Sequence, residues 1–320
     1  MKAKHFIFVF SFICSTIFTA QDLSDREEIG AVLKKVVYEG RDKVSKRIFI
    51  DIELDTKKYG VANFTISLPE GGLKEKQPVM IVIAGRETGR KSLQFVPFHN
   101  NFAVIAYEYP KEIKEINQFS HVFFKILQVR DTILNIPYQL LSIAKWCQTQ
   151  KWSDENLNPS FLGFSFGTIF VPPAYHYAQE QKFLLGPGVL GYGGADLYCL
   201  LRHNMPSAYS PKWAFARFFA WLYSPLEPSR HLPYIKNTHF LIMNGVNDKQ
   251  IPFACAKRLQ ELVPEPKTIV NLKTDHLNMD NPALIEELAE ISRQWIKRQL
   301  QLKKEGLDVS SDPSLSFHLR

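Results

Sequence analysis

Short unbroken apolar runs recur at residues 79–84, 102–106, 160–163, 183–191, 239–243 and 268–272. Runs of this kind, bounded by turn formers, suit strands covered on both faces, as in a parallel sheet. Ahead of them, residues 47–54 and 61–68 show strand-like alternation or β-branched enrichment on either side of a Tyr59-Gly60 turn. They predict an antiparallel hairpin with an exposed exit at Pro69-Glu70-Gly71-Gly72. Elsewhere the period becomes helical. Within 122–150, Ile133, Leu140, Ile143, Ala144 and Cys147 recur at helical spacing, and Pro137 predicts a break between two helices. Leu284, Leu288, Ile291, Trp295 and Ile296 place a long amphipathic helix over 282–301. The charged stretch 21–47 reads as an N-terminal helical segment, and the polar 303–320 as a frayed tail.

Strands alternating with helices after a hairpin define an α/β protein of three layers. Its sheet is mostly parallel with an antiparallel N-terminal hairpin, in one domain over 48–302. The chain has no internal repeat and no linker long enough to split it. The connection at about 195–234 exceeds a simple loop and predicts a helical cap insertion. Inside it, Trp213, Phe215, Phe218, Phe219, Trp221, Leu222 and Tyr223 form a helix apolar nearly all round, framed by Pro211 and Pro225. Such a helix either packs on the sheet or lines a substrate; in the second case Trp213 and Phe219 are candidate contacts.

The first twenty residues follow a different pattern. Lys2 and Lys4 precede the stretch Phe6 to Phe18, in which ten of thirteen residues are apolar, and the chain turns polar at Gln21-Asp22. This is the layout of a signal peptide for export, with cleavage after Ala20. The alternative is an uncleaved membrane anchor, although a spanning helix needs about twenty apolar residues. Once Lys2 and Lys4 are set aside, 37 basic residues face 32 acidic ones, or +5. The basic residues are scattered, which excludes a nucleic-acid footprint. Cys147, Cys199 and Cys255 are odd in number and widely spaced, so neither a disulfide framework nor a zinc site is expected. Oligomeric state is left open.

Candidate chemistry centres on Gly163-Phe164-Ser165-Phe166-Gly167, which follows an apolar run and precedes a helical pattern. A serine forced into a sharp strand-to-helix turn projects its hydroxyl, and flanking glycines avoid the clash a Cβ would make. A neutral hydroxyl is a poor nucleophile and needs a base, which needs an orienting acid. Asp248 lies just past the run 239–243, and His276 just past 268–272. All three positions fall after strands, where α/β sheets place their sites.

In these residues the chain resembles the α/β-hydrolase family, specifically its dienelactone-hydrolase-like and prolyl-oligopeptidase-like serine hydrolases, over roughly residues 48–300. The resemblance implies the α/β-hydrolase fold, with Ser165 as nucleophile, Asp248 as acid in Gly245-x-x-Asp248-x-x-x-Pro252, and His276 as base. It further implies an oxyanion hole from the backbone N–H groups of Phe166 and Arg86, the latter in Ala84-Gly85-Arg86-Glu87-Thr88-Gly89. Here Ala84 stands where the family often has His, and Pro172-Pro173 predicts a short or kinked helix after the serine turn. The implied activity is an exported serine hydrolase acting on an ester-type acyl bond of a small-molecule or peptide substrate, with no cofactor and no metal. A peptidase of the same fold, or a non-catalytic scaffold used for binding, is the alternative.

Blander readings exist for each residue: Ser165 in a plain glycine turn, His276 bonded to backbone, Asp248 capping a helix. Asp275, Asp280, Glu108 and Asp196 are competing acids, and His99, His203 and His231 read as surface or cap residues. Gly186-Pro187-Gly188-Val189-Leu190-Gly191 fits a dinucleotide pattern in form alone. Pro187 lacks an N–H for phosphate, and no acidic residue follows at the required spacing.

Overall fold

The computed structural model describes residues 30–41, 46–70, 76–94, 102–114, 126–206 and 211–307. The predicted signal segment, His99 and the chain beyond 307 lie outside the described residues. The strands are β1 (Val32–Arg41), β2 (Lys46–Asp55), β3 (Val61–Pro69), β4 (Val79–Ile83), β5 (Ala103–Glu108), β6 (Ser160–Phe164), β7 (Gly188–Gly191), β8 (Phe240–Gly245) and β9 (Lys267–Leu272). The helices are α1 (Lys111–Lys114), α2 (Ile126–Gln148), α3 (Val171–Glu180), α4 (Leu197–Asn204), α5 (Lys212–Leu222), α6 (Phe253–Leu262) and α7 (Pro282–Lys304).

All nine strands join one sheet in the order β1-β2-β3-β5-β4-β6-β7-β8-β9. The pairs from β1 to β5 are antiparallel, and those from β5 through β4 to β9 are parallel. Two cores flank it. One packs Ile81, Ile83, Ile105 and Phe161 against Ile133, Ile136, Leu140 and Ile143 of α2 and Val171 and Ala174 of α3. The other packs Met80, Val82, Leu162 and Met243 against Leu284, Leu288, Trp295 and Ile296 of α7. Alternate residues of one strand feed opposite cores, which is why the unbroken apolar runs are strands. Chain order reverses between the neighbours β4 and β6, so the connections leaving their carboxyl ends run to opposite sides, the point at which α/β sheets place their sites.

Four local expectations are corrected and one is met. Residues 32–41 form a strand, not a helix: Val32 and Val36 mimic helical spacing, but β-branched residues pair well along β2 and win. α2 runs unbroken through Pro137, because its apolar stripe stays seated on the sheet on both sides of the lost hydrogen bond. The short helix expected from Pro172-Pro173 is α3: a 3-10 stretch, Ser165–Phe170, leaves the serine, and ten residues of α-helix follow with both prolines in the first turn, where a missing N–H leaves no bond unmade. The strand expected over 183–191 is confined to Gly188–Gly191, after Pro187. Finally, Cys199 of α4 and Cys255 of α6 form a disulfide across 56 residues, a pairing that sequence spacing does not reveal. Cys147 is a free, buried thiol, pushed up in pKa by burial.

Candidate active site

Gly163, next to last in β6, pairs with Ile83 of β4, so the turns after these strands lie side by side. Ser165 takes a left-handed backbone conformation, φ +52°, which costs an L-residue about 1–3 kcal/mol and persists only where packing enforces it. The enforcement is visible. A Cβ on Gly167 would lie 1.8 Å from the Ile83 carbonyl oxygen, and one on Gly163 would lie 2.7 Å from Val171 Cγ2 and 2.8 Å from Thr168 Cα. Thr168 Oγ1 donates toward the carbonyls of Gly163 (3.1 Å) and Gly191 (2.8 Å), tying the turn to β6 and β7. Phe166 packs on Tyr109 and Phe170 at 5.6 and 5.2 Å between ring centroids.

Ser165 Oγ lies 2.8 Å from His276 Nε2, and His276 Nδ1 lies 2.7 Å from Asp248 Oδ2. A carboxylate only accepts, so Nδ1 carries the hydrogen and a neutral ring presents Nε2 as acceptor to the serine hydroxyl. The Asp248 side chain is 2% exposed and that of His276 8%. Asp248 Oδ1 accepts the N–H groups of Gln250 (2.7 Å) and Ile251 (2.9 Å), so both carboxylate oxygens are used and the acid is held fast.

The loops bearing Asp248 and His276 are bound together. Val246 N–H donates to Leu272 O and Asn247 N–H to Thr274 O, while a Cβ on Gly245 would meet Thr274 O at 2.5 Å. Beneath them, buried Asn244 donates to Gly193 O at 2.9 Å and accepts from Gln260, which also bonds Asn271. Tyr192, at φ +53°, sets its ring edge-on to His276 at 5.9 Å and shares a 2.5 Å hydrogen bond with Thr274. Burial raises the Tyr192 pKa, keeping the phenol protonated.

After β4 the chain folds tightly: the N–H groups of Thr88 and Gly89 both donate to Gly85 O. Arg86 sits at the head of this turn, its guanidinium 3.3 Å from Glu87. Buried Tyr109 donates to Ala84 O at 2.7 Å, and Thr88 Oγ1 donates to Met279 Sδ, joining this turn to the loop beyond His276. Glu108 accepts from Arg90 N–H and pairs with Lys114, anchoring the same loop; it is engaged there, away from the imidazole.

The sequence-derived residues thus separate. Ser165, His276 and Asp248 are in one hydrogen-bonded chain, with Phe166 next to the serine and Arg86 in the turn after β4. Trp213 stands 56% exposed on α5, and half-buried Phe219 stacks on Tyr223 at 6.5 Å. Asp196 caps α4, Asp280 bonds Asn278, and Asp275 is exposed. His231, read as a surface or cap residue, is buried and sits at the junction of two short 3-10 turns, Pro228–Arg230 and Leu232–Tyr234. The Gly186–Gly191 amides serve the sheet: Gly186 and Gly188 donate to Pro159 and His239 carbonyls. Thr168, Tyr192 and Thr274 were not anticipated; Tyr192 and Thr274 do follow predicted strands, the one signal that could have found them. Among the described residues, no group of three or more His, Cys, Asp or Glu is placed to hold a metal.

A strand-order reversal between β4 and β6, with a left-handed serine turn leaving β6, defines a fold class. No family model matches the chain, and no curated protein matches its sequence. Solved structures do match. An acetyl xylan esterase from Paenibacillus sp. R4 aligns at 12% identity with a TM-score of 0.58, covering 83% of this chain and 88% of that one. Acetyl xylan esterase 1 from Thermoanaerobacterium sp. JW/SL YS485 aligns at 15% and 0.55, covering 82% and 87%. A putative dienelactone hydrolase from Klebsiella pneumoniae subsp. pneumoniae MGH 78578 aligns at 15% and 0.51, covering 84% and 99%. The chain has the α/β-hydrolase fold.

Proposed function

We propose that the chain is an exported serine hydrolase that cleaves an ester-type acyl bond through a covalent acyl-enzyme. The hydrogen-bonded chain from Ser165 through His276 to Asp248 carries this reading, because it supplies a nucleophile, a base with its acceptor nitrogen on the hydroxyl, and a fixed acid. Ser165 Oγ attacks the substrate carbonyl as its proton passes to His276 Nε2; Asp248 stabilises the imidazolium. The proton then goes to the leaving oxygen, and water repeats the cycle in reverse to free the acid and restore Ser165. The backbone N–H groups of Phe166 and Arg86 are assigned to the oxyanion, since the turns that carry them leave adjacent strands β6 and β4. Trp213 and Phe219 are assigned to the acyl group, on the side of the helical insertion.

Export is supported by the basic start and apolar run of residues 1–20, and by the Cys199–Cys255 disulfide, a bond that persists in oxidising compartments. Among the described residues no helix is long and apolar enough to cross a membrane. The three structural neighbours, two esterases and a putative dienelactone hydrolase by name, are in keeping with acyl chemistry, though fold alone does not fix a substrate.

A fluorophosphonate probe tests the central claim, since it labels an activated serine. Labelling of the wild type, its loss in Ser165→Ala, and turnover of p-nitrophenyl esters of some chain length are the expected results. A folded wild-type protein that neither takes the probe nor hydrolyses any ester would overturn the proposal.

A further inference from the structure

β1 is the end strand of the sheet, and among the described residues it pairs with β2 alone. Residues 31–39 are all exposed, so neither face is covered. The exposed set includes Leu33 at 58%, Val37 at 53% and Tyr38 at 45%. Ten residues of strand offer an edge about 33 Å long, lined with outward N–H and C=O groups that invite another strand.

Geometry restricts how this strand can meet a second copy of itself. In an antiparallel ladder alternate residues turn their backbone polar groups toward the partner, and two opposed residues must share that orientation. For identical strands related by a two-fold axis, opposed residue numbers must therefore sum to an even number, and one residue faces its own copy on the axis. Centring on Lys35 or on Glu39 sets like charges face to face. Centring on Val36 sets Lys35 against Val37 and Glu39 against Leu33; centring on Tyr38 sets Glu39 against Val37 and Val36 against Gly40. Centring on Val37 sets Lys35 against Glu39 twice and Val36 against Tyr38 twice, which are an opposite-charge pair and an aromatic–β-branched pair of the favourable kinds.

The same register suits the sheet. Val37 pairs with Ile50 and Lys35 with Ile52, both buried, so Val37 on the axis prolongs the apolar row of one core beyond the last covering helix. On the other face, Tyr38 already stacks on Phe49 at 5.5 Å, and Val36 of the second copy would extend that cluster. We propose that the chain forms a two-fold dimer by antiparallel pairing of β1 with β1 of a second copy, centred on Val37 with Lys35 opposite Glu39.

Sedimentation velocity on the mature chain, residues 21–320, tests this. The expected result is a dimer whose dissociation constant rises roughly tenfold or more in Glu39→Lys, which places lysine against Lys35 twice. The double variant Lys35→Glu with Glu39→Lys restores opposite charges and should restore the dimer. Because these side chains are exposed, the variants should fold, as circular dichroism can verify. On mild oxidation Val37→Cys should cross-link with its own copy, and Val36→Cys should not. A wild-type monomer at high concentration would overturn the proposal, whether the edge is then bare or covered by residues 21–29. So would a dimer indifferent to Glu39→Lys, or cross-linking at Val36 in preference to Val37.

Discussion

The turn after β6 and the helix α5 are both dense in aromatic residues, yet they are constrained in opposite ways. Phe166 and Phe170 lie against each other and Tyr109, over a backbone whose glycines have no room for a Cβ. On α5, only Ala216 and Leu222 are buried, while Trp213 and Trp221 stand 56% and 65% exposed. The segment bearing α5 is moored to the body at separate points: the Cys199–Cys255 disulfide, Asn204 donating to Gln250 O, and Arg130 donating to Leu222 O. One region is over-determined by backbone geometry, the other by a few tethers. Chemistry that needs sub-ångström placement belongs on the first, and adaptable contacts on the second.

The sharpest way to break this contrast is at Ser165. Ser165→Ala should lower kcat by about 10⁴-fold or more, as the loss of a nucleophile does, and leave the melting temperature nearly unchanged. Ser165→Gly should be equally inactive but more stable by about 1 kcal/mol, because glycine adopts φ +52° without strain. An inactive but unstabilised glycine variant would mean that the turn stores no strain. Asp248→Asn should cost up to about 10⁴-fold in kcat with little loss of stability, since its remaining oxygen still accepts the Gln250 and Ile251 N–H groups. Near-normal activity in this variant would move the acid elsewhere.

Gly167→Ala differs in kind. Its Cβ would meet the Ile83 carbonyl at 1.8 Å, so the turn must shift against β4. Stability should fall by about 3 kcal/mol or more, and the rate of probe labelling at Ser165 should fall with it. Chemical denaturation and labelling rate measured on the same preparation check the coupling; a stable, active variant would show that the turn has slack.

Acid stability probes the mooring of the other region. His231 lies near the end of the 195–234 segment and is buried, bonded through Nε2 to Pro225 O at 2.7 Å and through Nδ1 to His176 Nδ1 at 3.0 Å. Burial, opposed in part by the Pro225 bond, lowers its pKa from 6.5 to about 4. A histidine with a depressed folded pKa binds fewer protons folded than unfolded, so its contribution to stability is full above about pH 6.5 and falls away as pH drops toward 4. The loss attributable to this site is at most about 3 kcal/mol, taking 1.36 kcal/mol per pKa unit. Urea denaturation at pH 7 and pH 4.5 should show a smaller difference in His231→Gln than in the wild type; an equal difference would place the acid sensitivity elsewhere.

What could be read from the sequence follows the same division. The unbroken apolar runs disclosed the parallel strands β4 to β8 because each is buried on both faces, whereas β9, at the sheet edge, leaves Ile269 and Asn271 exposed; the serine turn was legible because close backbone approach leaves glycine no substitute. The order Ser165, Asp248, His276 followed from strand ends. What escaped depends on tertiary partners: β1 reads as helix until β2 is there to pair with it, Pro137 reads as a break until the sheet holds both halves of α2, and Cys199 and Cys255 meet only when α4 and α6 lie side by side. His231 is buried by aromatic and histidine neighbours from α3, which nothing near residue 231 announces.

The smallest effect is the most informative about α5. An apolar helix read as core or lid gives opposite expectations on truncation, since removing a core aromatic costs about 3–5 kcal/mol. Trp213 is more than half exposed, so Trp213→Ala should change stability by no more than about 0.5 kcal/mol. Phe219 is half-buried against Tyr223, and Phe219→Ala should cost more than Trp213→Ala but less than a core residue. If α5 contacts the acyl group, both variants shift the preference of kcat/KM among p-nitrophenyl esters toward a different chain length, with Ser165 labelling at an unchanged rate. A stable Trp213→Ala enzyme with an unaltered chain-length profile would remove Trp213 from the substrate site, and the same result at Phe219 would detach the helix from specificity altogether.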